Sequence, residues 1–269
     1  MGRANVEVYH LTSMFFQNNR KIDMDGQTGL KLDDNWEIIC PWAQIMVGTT
    51  MPVEITENMI ELTDEILERK NKEDYGERLA GQINNEYGIE IEDLEEWNVK
   101  KYFQKTINKY FATIISNHGV LRYILDDTSG SWPGPKHTNW SCLMNSMWIV
   151  SQYENEYNPL HNHANCKISA VMYLKLPEYE ESRKPYKPTD GNILFVGGGG
   201  VDRYFTTSNV SINPQVGNLF LFPSSLNHQV YPFRGKGERR SVSFNVDVFS
   251  EQQMEEKRKI NKIQLEQDN

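Results

Sequence analysis

The sequence predicts a mainly β chain with a helical layer, of the α+β class, and three patterns carry that expectation. Ile168 to Leu176 alternates at period two. So does Arg239 to Val246, which places Arg239, Ser241, Ser243 and Asn245 on one face and Arg240, Val242, Phe244 and Val246 on the other. Helical spacing, by contrast, is confined to two stretches, one from Thr56 and one across Val99 to Ser116.

Taken in order, Val6 to Phe16 and Trp36 to Val47 read as extended edge segments separated by the turn-rich Asn18 to Asn35. Thr56, a residue type suited to an N-cap, precedes Met59, Ile60, Leu62, Ile66 and Leu67, which recur at helical spacing. The acidic run Glu90 to Glu96 reads as a solvated face. A broad apolar stripe of Tyr102, Phe103, Ile107, Tyr110, Phe111 and Ile114 marks the second helix, and its aromatics read as core rather than as a surface for stacking bases. Asp126 to Asn139 and Lys184 to Asp190, rich in proline and glycine, read as loops. Met147 to Val150 begins a strand that runs through Tyr153 toward His161. Gly197 to Gly200 lacks the Lys-Ser/Thr of a phosphate loop and the dinucleotide glycine spacing, so it reads as a turn. Gly217 to Pro223 is a strand entered from a glycine turn and closed by proline, after which Leu226, His228 and Val230 share a face. The segment from Ser250 is charged and compatible with a helix.

Composition narrows the function classes. A net charge of −9 over 269 residues and a pI near 5.3 argue against general nucleic-acid or membrane-surface binding, which reward a basic patch. Cys40, Cys142 and Cys166 are widely spaced and odd in number, as expected of reduced thiols in a cytoplasmic protein. No signal peptide and no apolar run near the length of a membrane span is found.

The candidate chemistry lies in His161-Asn162-His163 and the distant His228. Imidazoles at i and i+2 of an extended strand point the same way, so both can address one ion while a third ligand arrives from a remote strand. Neutral imidazole suits iron, copper, nickel and zinc. His10, His118 and His137 have no partner at ligand spacing and read as structural. With a metal nearby, the polar face of the last strand offers a fork at Arg239 and a hydroxyl at Ser241 to a carboxylate.

Four stretches, Asn158 to His163, Ser169 to Leu174, Gly217 to His228 and Glu238 to Asn245, resemble the Fe(II)/2-oxoglutarate-dependent oxygenases. More narrowly the chain looks like a bacterial and phage branch with His-x-His where most relatives have His-x-Asp. The resemblance runs from about Pro41 to Phe249 and implies a double-stranded β-helix, the cupin-like jelly roll, with iron at its mouth. It implies three divisions: residues 1–40 as an N-terminal extension with edge strands, 41–249 as the oxygenase domain with supporting helices at about 56–118, and 250–269 as a charged tail.

The resemblance further implies Fe(II) held by His161, His163 and His228, with 2-oxoglutarate gripped by Arg239 and Ser241 and approached by Tyr153. At the third ligand, Asp190, Glu154 or Glu156 stays open as an alternative to His163. The implied reaction couples decarboxylation of 2-oxoglutarate to hydroxylation of a second substrate by O2, an amino-acid or peptidyl side chain by family analogy. A three-His iron dioxygenase that does not use 2-oxoglutarate and a non-catalytic cupin-like binding module are the rival readings. A homodimer is left open.

Overall fold

The computed structural model describes residues 45–117, 140–181, 189–197 and 209–267. Expected segments 6–16 and 18–35, most of 36–47, the loop 126–139, nearly all of 184–190 and of the 197–200 turn lie outside them, as do His10, His118, His137 and Cys40.

Twelve strands and four α-helices are present among these residues: β1 (Val47–Thr50), α1 (Val53–Glu68), β2 (Asn85–Gly88), α2 (Ile91–Glu96), α3 (Lys100–Asn117), β3 (Trp140–Gln152), β4 (Asn158–His161), β5 (Ile168–Lys175), β6 (Glu178–Tyr179), β7 (Ile193–Val196), β8 (Asn209–Ile212), β9 (Asn218–Pro223), β10 (Asn227–Val230), β11 (Gly235–Lys236), β12 (Arg239–Ser250) and α4 (Glu251–Gln267). The larger sheet has the order β1-β9-β5-β12-β3-β2 and the smaller β4-β10-β7-β8, with β11 and β6 as a separate pair. Every pairing is antiparallel. The chain crosses from one sheet to the other between β3 and β4, β4 and β5, β5 and β7, β8 and β9, β9 and β10, and β10 and β12. That alternation is the double-stranded β-helix, so the expected fold class holds.

Strand β5 shows why the larger sheet is the middle of the molecule. All residues from Ile168 to Leu174 are buried, so the expected period-two pattern separates two buried faces rather than a wet one from a dry one. Ile168, Ala170, Met172 and Leu174 join the core shared with the helices. Val171 and Tyr173 instead face Ile193, Phe195 and Phe222 in the core between the sheets.

The helices pack on the outer face through the apolar stripes expected of them. α1 buries Thr56, Met59, Leu62, Thr63 and Ile66, and Phe103 of α3 meets Phe244 of β12 edge to face at 5.4 Å. Two expectations are corrected here. Thr56 is not the cap of α1: the helix begins after Pro52, whose φ is preset for helix entry, and the Thr56 hydroxyl donates to the Pro52 carbonyl at 3.0 Å. The acidic run is not wholly solvated either, because Asp93 is buried, closes a capping box with Glu90 and accepts two bonds from Arg69 at 2.9 and 3.1 Å. Gly217 enters β9 with φ +84°, in the left-handed region that favours glycine, donating to the Tyr173 carbonyl and accepting from the Met51 amide. Among the described residues no helix is long and apolar enough to cross a membrane.

The parity expected for β12 is present. Val242, Phe244 and Val246 enter the helix-side core. Arg240, on the same side and only 4% exposed, donates to Thr63 at 3.0 Å, Asp64 at 2.6 Å and Glu238 at 2.6 Å. Lys175 shares Asp64 at 2.6 Å, so this cluster ties α1 to the two central strands. Truncating one member of such a cluster leaves buried partners unpaired. Arg240→Met is expected to lower unfolding free energy by about 2–3 kcal/mol, discounted for the half-exposed Asp64. Urea unfolding checks this, and an unchanged midpoint would show that the cluster does not hold α1 to the sheet.

Candidate metal centre and its cavity

β4 and β10 are adjacent in the smaller sheet, and their register sets His161 directly opposite His228. His163 lies two residues beyond His161, where its amide donates to the Ser224 carbonyl at 3.0 Å and turns its ring back toward the pair. The ring centroids are 4.3 Å apart for His161 and His228, 5.2 Å for His163 and His228, and 5.4 Å for His161 and His163. One ligand atom from each lies within 4.8 Å of the others, the one such cluster of metal-ligating side chains among the described residues.

The imidazoles are braced from behind. His161 Nδ1 meets the Pro159 carbonyl at 2.7 Å and His228 Nδ1 meets the Leu226 carbonyl at 2.9 Å. A carbonyl only accepts, so both Nδ1 atoms carry hydrogen and each Nε2 keeps its lone pair for the cluster. His163 is supported by a hydrogen bond with the Asn245 side chain. Its Nε2 stands 3.3 Å from that of His228, near the roughly 3 Å separating two nitrogens that share an ion about 2.1 Å from each. Burial is the main reason all three are held neutral, with His163 lowered to about 4 and His228 to about 3. Neutral imidazole is the form that ligates. The donor set therefore fits a transition metal bound on one face.

The three alternative carboxylates are engaged elsewhere. Asp190 pairs with Arg234 at 3.2 Å, Glu154 accepts from the Gly235 amide at 3.0 Å, and Glu156 accepts from Tyr153 and Asn84. None lines the cavity beneath the histidines.

That cavity, about 640 Å³, lies between the two sheets and receives the polar face of β12: Arg239, Ser241, Ser243 and Asn245. Arg239 is 1% exposed. Its Nε donates to the Gly191 carbonyl at 3.0 Å and Nη1 to Gln152 at 3.1 Å, whereas Nη2 has no partner among the described residues. Its guanidinium lies 5.1 Å from the centroid of Tyr173, and the hydroxyls of Tyr173 and Tyr179 are likewise buried without a partner. A buried cation with no carboxylate paired to it among the described residues is costly unless an anion arrives.

The expectation for Tyr153 is not met. β3 ends at Gln152, and Tyr153 is 45% exposed, outside the cavity lining, with its amide turned to Glu156. Tyr173 occupies the place beside Arg239 that Tyr153 was expected to fill. The signal for it was legible, since Tyr173 shares the parity of Ser169 and Val171 on β5.

Residues 146–245, which contain the three histidines, Arg239 and Ser241, match a family model described as "Putative 2OG-Fe(II) oxygenase", the family that the motifs resemble and one that uses Fe(II) and 2-oxoglutarate. No curated protein matches the chain. Among solved structures it is similar to a prolyl-4-hydroxylase from Pseudomonas putida, at 15% identity over 76% of this chain and 93% of that one, TM-score 0.44. It is also similar to a prolyl hydroxylase from Trichoplax adhaerens in complex with a hypoxia inducible factor peptide fragment, at 12% identity over 79% and 86%, TM-score 0.46. A third is HygX from Streptomyces hygroscopicus with nickel and 2-oxoglutarate bound, at 9% identity over 76% and 82%, TM-score 0.46. Likenesses this distant say nothing of what this chain does, and its own cavity carries the reading.

The depressed imidazoles fix a pH dependence. Their folded values lie below the ordinary 6.5, so the unfolded chain binds protons first as pH falls. The stability linked to their neutral form is present above the unfolded value of 6.5 and is lost progressively as pH falls toward about 3. Metal-free protein is therefore expected to lose stability across that window, and His228→Gln to show a shallower decline. Parallel denaturation curves would contradict the assignment.

Proposed function

We propose that the chain is an Fe(II)- and 2-oxoglutarate-dependent oxygenase that hydroxylates an amino-acid or peptidyl side chain, with residues 41–249 as its catalytic domain. The observation that carries this reading is a single cavity holding three neutral imidazoles and a buried guanidinium with an unpartnered donor. His161, His163 and His228 hold Fe(II) by one face, which leaves positions for cosubstrate and O2. Arg239, in the cavity that Ser241 also lines and beside the Tyr173 ring, receives the distal carboxylate of 2-oxoglutarate through its unpartnered Nη2. The bound iron supplies the oxidising chemistry: substrate C–H, 2-oxoglutarate and O2 give substrate C–OH, succinate and CO2.

Charge supports the pairing of these two parts. Three neutral ligands leave an Fe(II) ion dipositive, and a dianionic cosubstrate brings one carboxylate to the ion, lowering its net charge to one, and the other to Arg239, which it neutralises. A three-His dioxygenase working without 2-oxoglutarate would leave Arg239 buried without an anion. A binding module would have no use for an ion open on one face.

Several outcomes follow for purified protein under anaerobic conditions. His161→Ala and His228→Ala should abolish stoichiometric Fe(II) binding, and His163→Ala should weaken it sharply while Asp190→Ala retains it; metal content measured side by side decides this. Arg239→Ala should weaken 2-oxoglutarate binding tenfold or more, since a charge-assisted contact contributes about 1.5–3 kcal/mol, and should leave iron binding nearly intact. Unchanged 2-oxoglutarate affinity in that variant would overturn the clamp. The whole reading is tested by conversion of 2-oxoglutarate to succinate with Fe(II) and O2, accelerated by added amino acids or peptides.

A further inference from the structure

The cavity contains a second buried charge that neither the metal nor the cosubstrate uses. Glu86 of β2 lines it, is 2% exposed, and its Oε2 has no hydrogen-bond partner among the described residues. No cation pairs with it among those residues. Arg78, which also lines the cavity, is engaged by others, lying 4.7 Å from the Tyr75 ring centroid and 2.7 Å from Glu73.

Register places this carboxylate relative to the proposed chemistry. Glu86 lies opposite Val150 on β3, Val150 opposite Ser241 on β12, and Ser241 opposite Tyr173 on β5. Glu86 and Ser241 therefore share one row of the sheet's inner face, two strands and about 10 Å apart. Trp148, two residues before Val150 on the same face, lies between the two ends: it stacks on Tyr75 at 5.5 Å and approaches His163 at 5.8 Å. The chain folds closely over the carboxylate as well. A Cβ on Gly81 would sit 3.1 Å from both Glu86 oxygens and collide with Asn158.

Burial first, and then the charges of Glu156 and Asp74, push the Glu86 carboxyl up to about 7. An unpaired carboxylate with acidic neighbours and a wall of aromatic faces suits a cation.

We propose that Glu86 is the substrate anchor of this cavity and receives the side-chain ammonium or guanidinium of a basic amino acid, free or peptidyl. One end of the cavity then takes the anion of the cosubstrate at Arg239 and the other the cation of the substrate at Glu86, so the metal-bearing wall faces the carbon chain between them. The choice of substrate class rests on the oxygenase reading; the cation preference of Glu86 does not.

The test is equilibrium binding of blocked probes to the full chain by titration calorimetry. Nα-acetyl-lysine amide and Nα-acetyl-arginine amide are compared with the neutral Nα-acetyl-norleucine amide and Nα-acetyl-citrulline amide, with and without Fe(II) and 2-oxoglutarate under anaerobic conditions. At least one cationic probe is expected to bind tenfold or more tighter than its neutral partner. Glu86→Gln should reduce that ratio below threefold, and Glu86→Asp, which keeps the charge, should retain part of it. Because Glu86→Gln removes an uncompensated buried charge, it should also raise the melting temperature of the free protein by about 2–4 °C. Absence of cation preference in the wild type, its survival in Glu86→Gln, or a Glu86→Gln protein that melts lower or fails to fold overturns the proposal. Cation preference without any succinate formation would keep the anchor and sink the oxygenase reading.

Discussion

Strand β12 is the constraint on which the rest depends. It is paired along its length to β3 on one side and from Arg240 to Val246 to β5 on the other, and its two faces serve different purposes. Arg239, Ser241, Ser243 and Asn245 furnish the cavity, while Val242, Phe244 and Val246 anchor the helical layer. A one-residue slip would exchange these sets, so the metal-side chemistry and the hydrophobic core are fixed by a single register. The irregularity between Asn245 and Val246 leaves Asn145 of β3 unpaired with β12, and Asn145 lines the cavity while Val246 still enters the core.

Adjacent arginines on that strand show what a face decides. Arg240 is saturated by Thr63, Asp64 and Glu238, so its charge is spent on structure. Arg239 is as deeply buried but is positioned, among the described residues, by neutral acceptors, the Gly191 carbonyl and Gln152. Neutral acceptors orient a guanidinium without cancelling its charge. Glu86 is the matching case of opposite sign across the sheet. Among the described residues neither group has a partner of opposite charge, and the apolar layers on both sides of the larger sheet contribute the stability that offsets such a cost.

Much of this was legible in the sequence. The strands around Met147, Ile168, Gly217 and Arg239, both long helices, the three histidines and the parity of Arg239 and Ser241 follow from period and spacing. What escaped depended on where strands end and what crosses between them. Tyr153 was misjudged because β3 stops one residue earlier, and Asp93 because Arg69 reaches it from α1's far end. Glu86 stands on a four-residue strand with no motif around it, and only its pairing with β3 brings it to the cavity. Short strands such as β7 and β8 carry too few residues for a period to show.

The His163 and His228 rings come from positions 65 residues apart and meet only because β4 and β10 are paired in the smaller sheet. An unfinished chain offers no more than the local pair His161 and His163, and two imidazoles on a floppy segment compete poorly with water for an ion. The proposed metal site is thus completed only by the pairing of β4 with β10. A redox-active ion at that site would meet its full ligand set in the folded chain alone, and a half-made molecule, which such an ion could oxidise, would offer it a weaker hold.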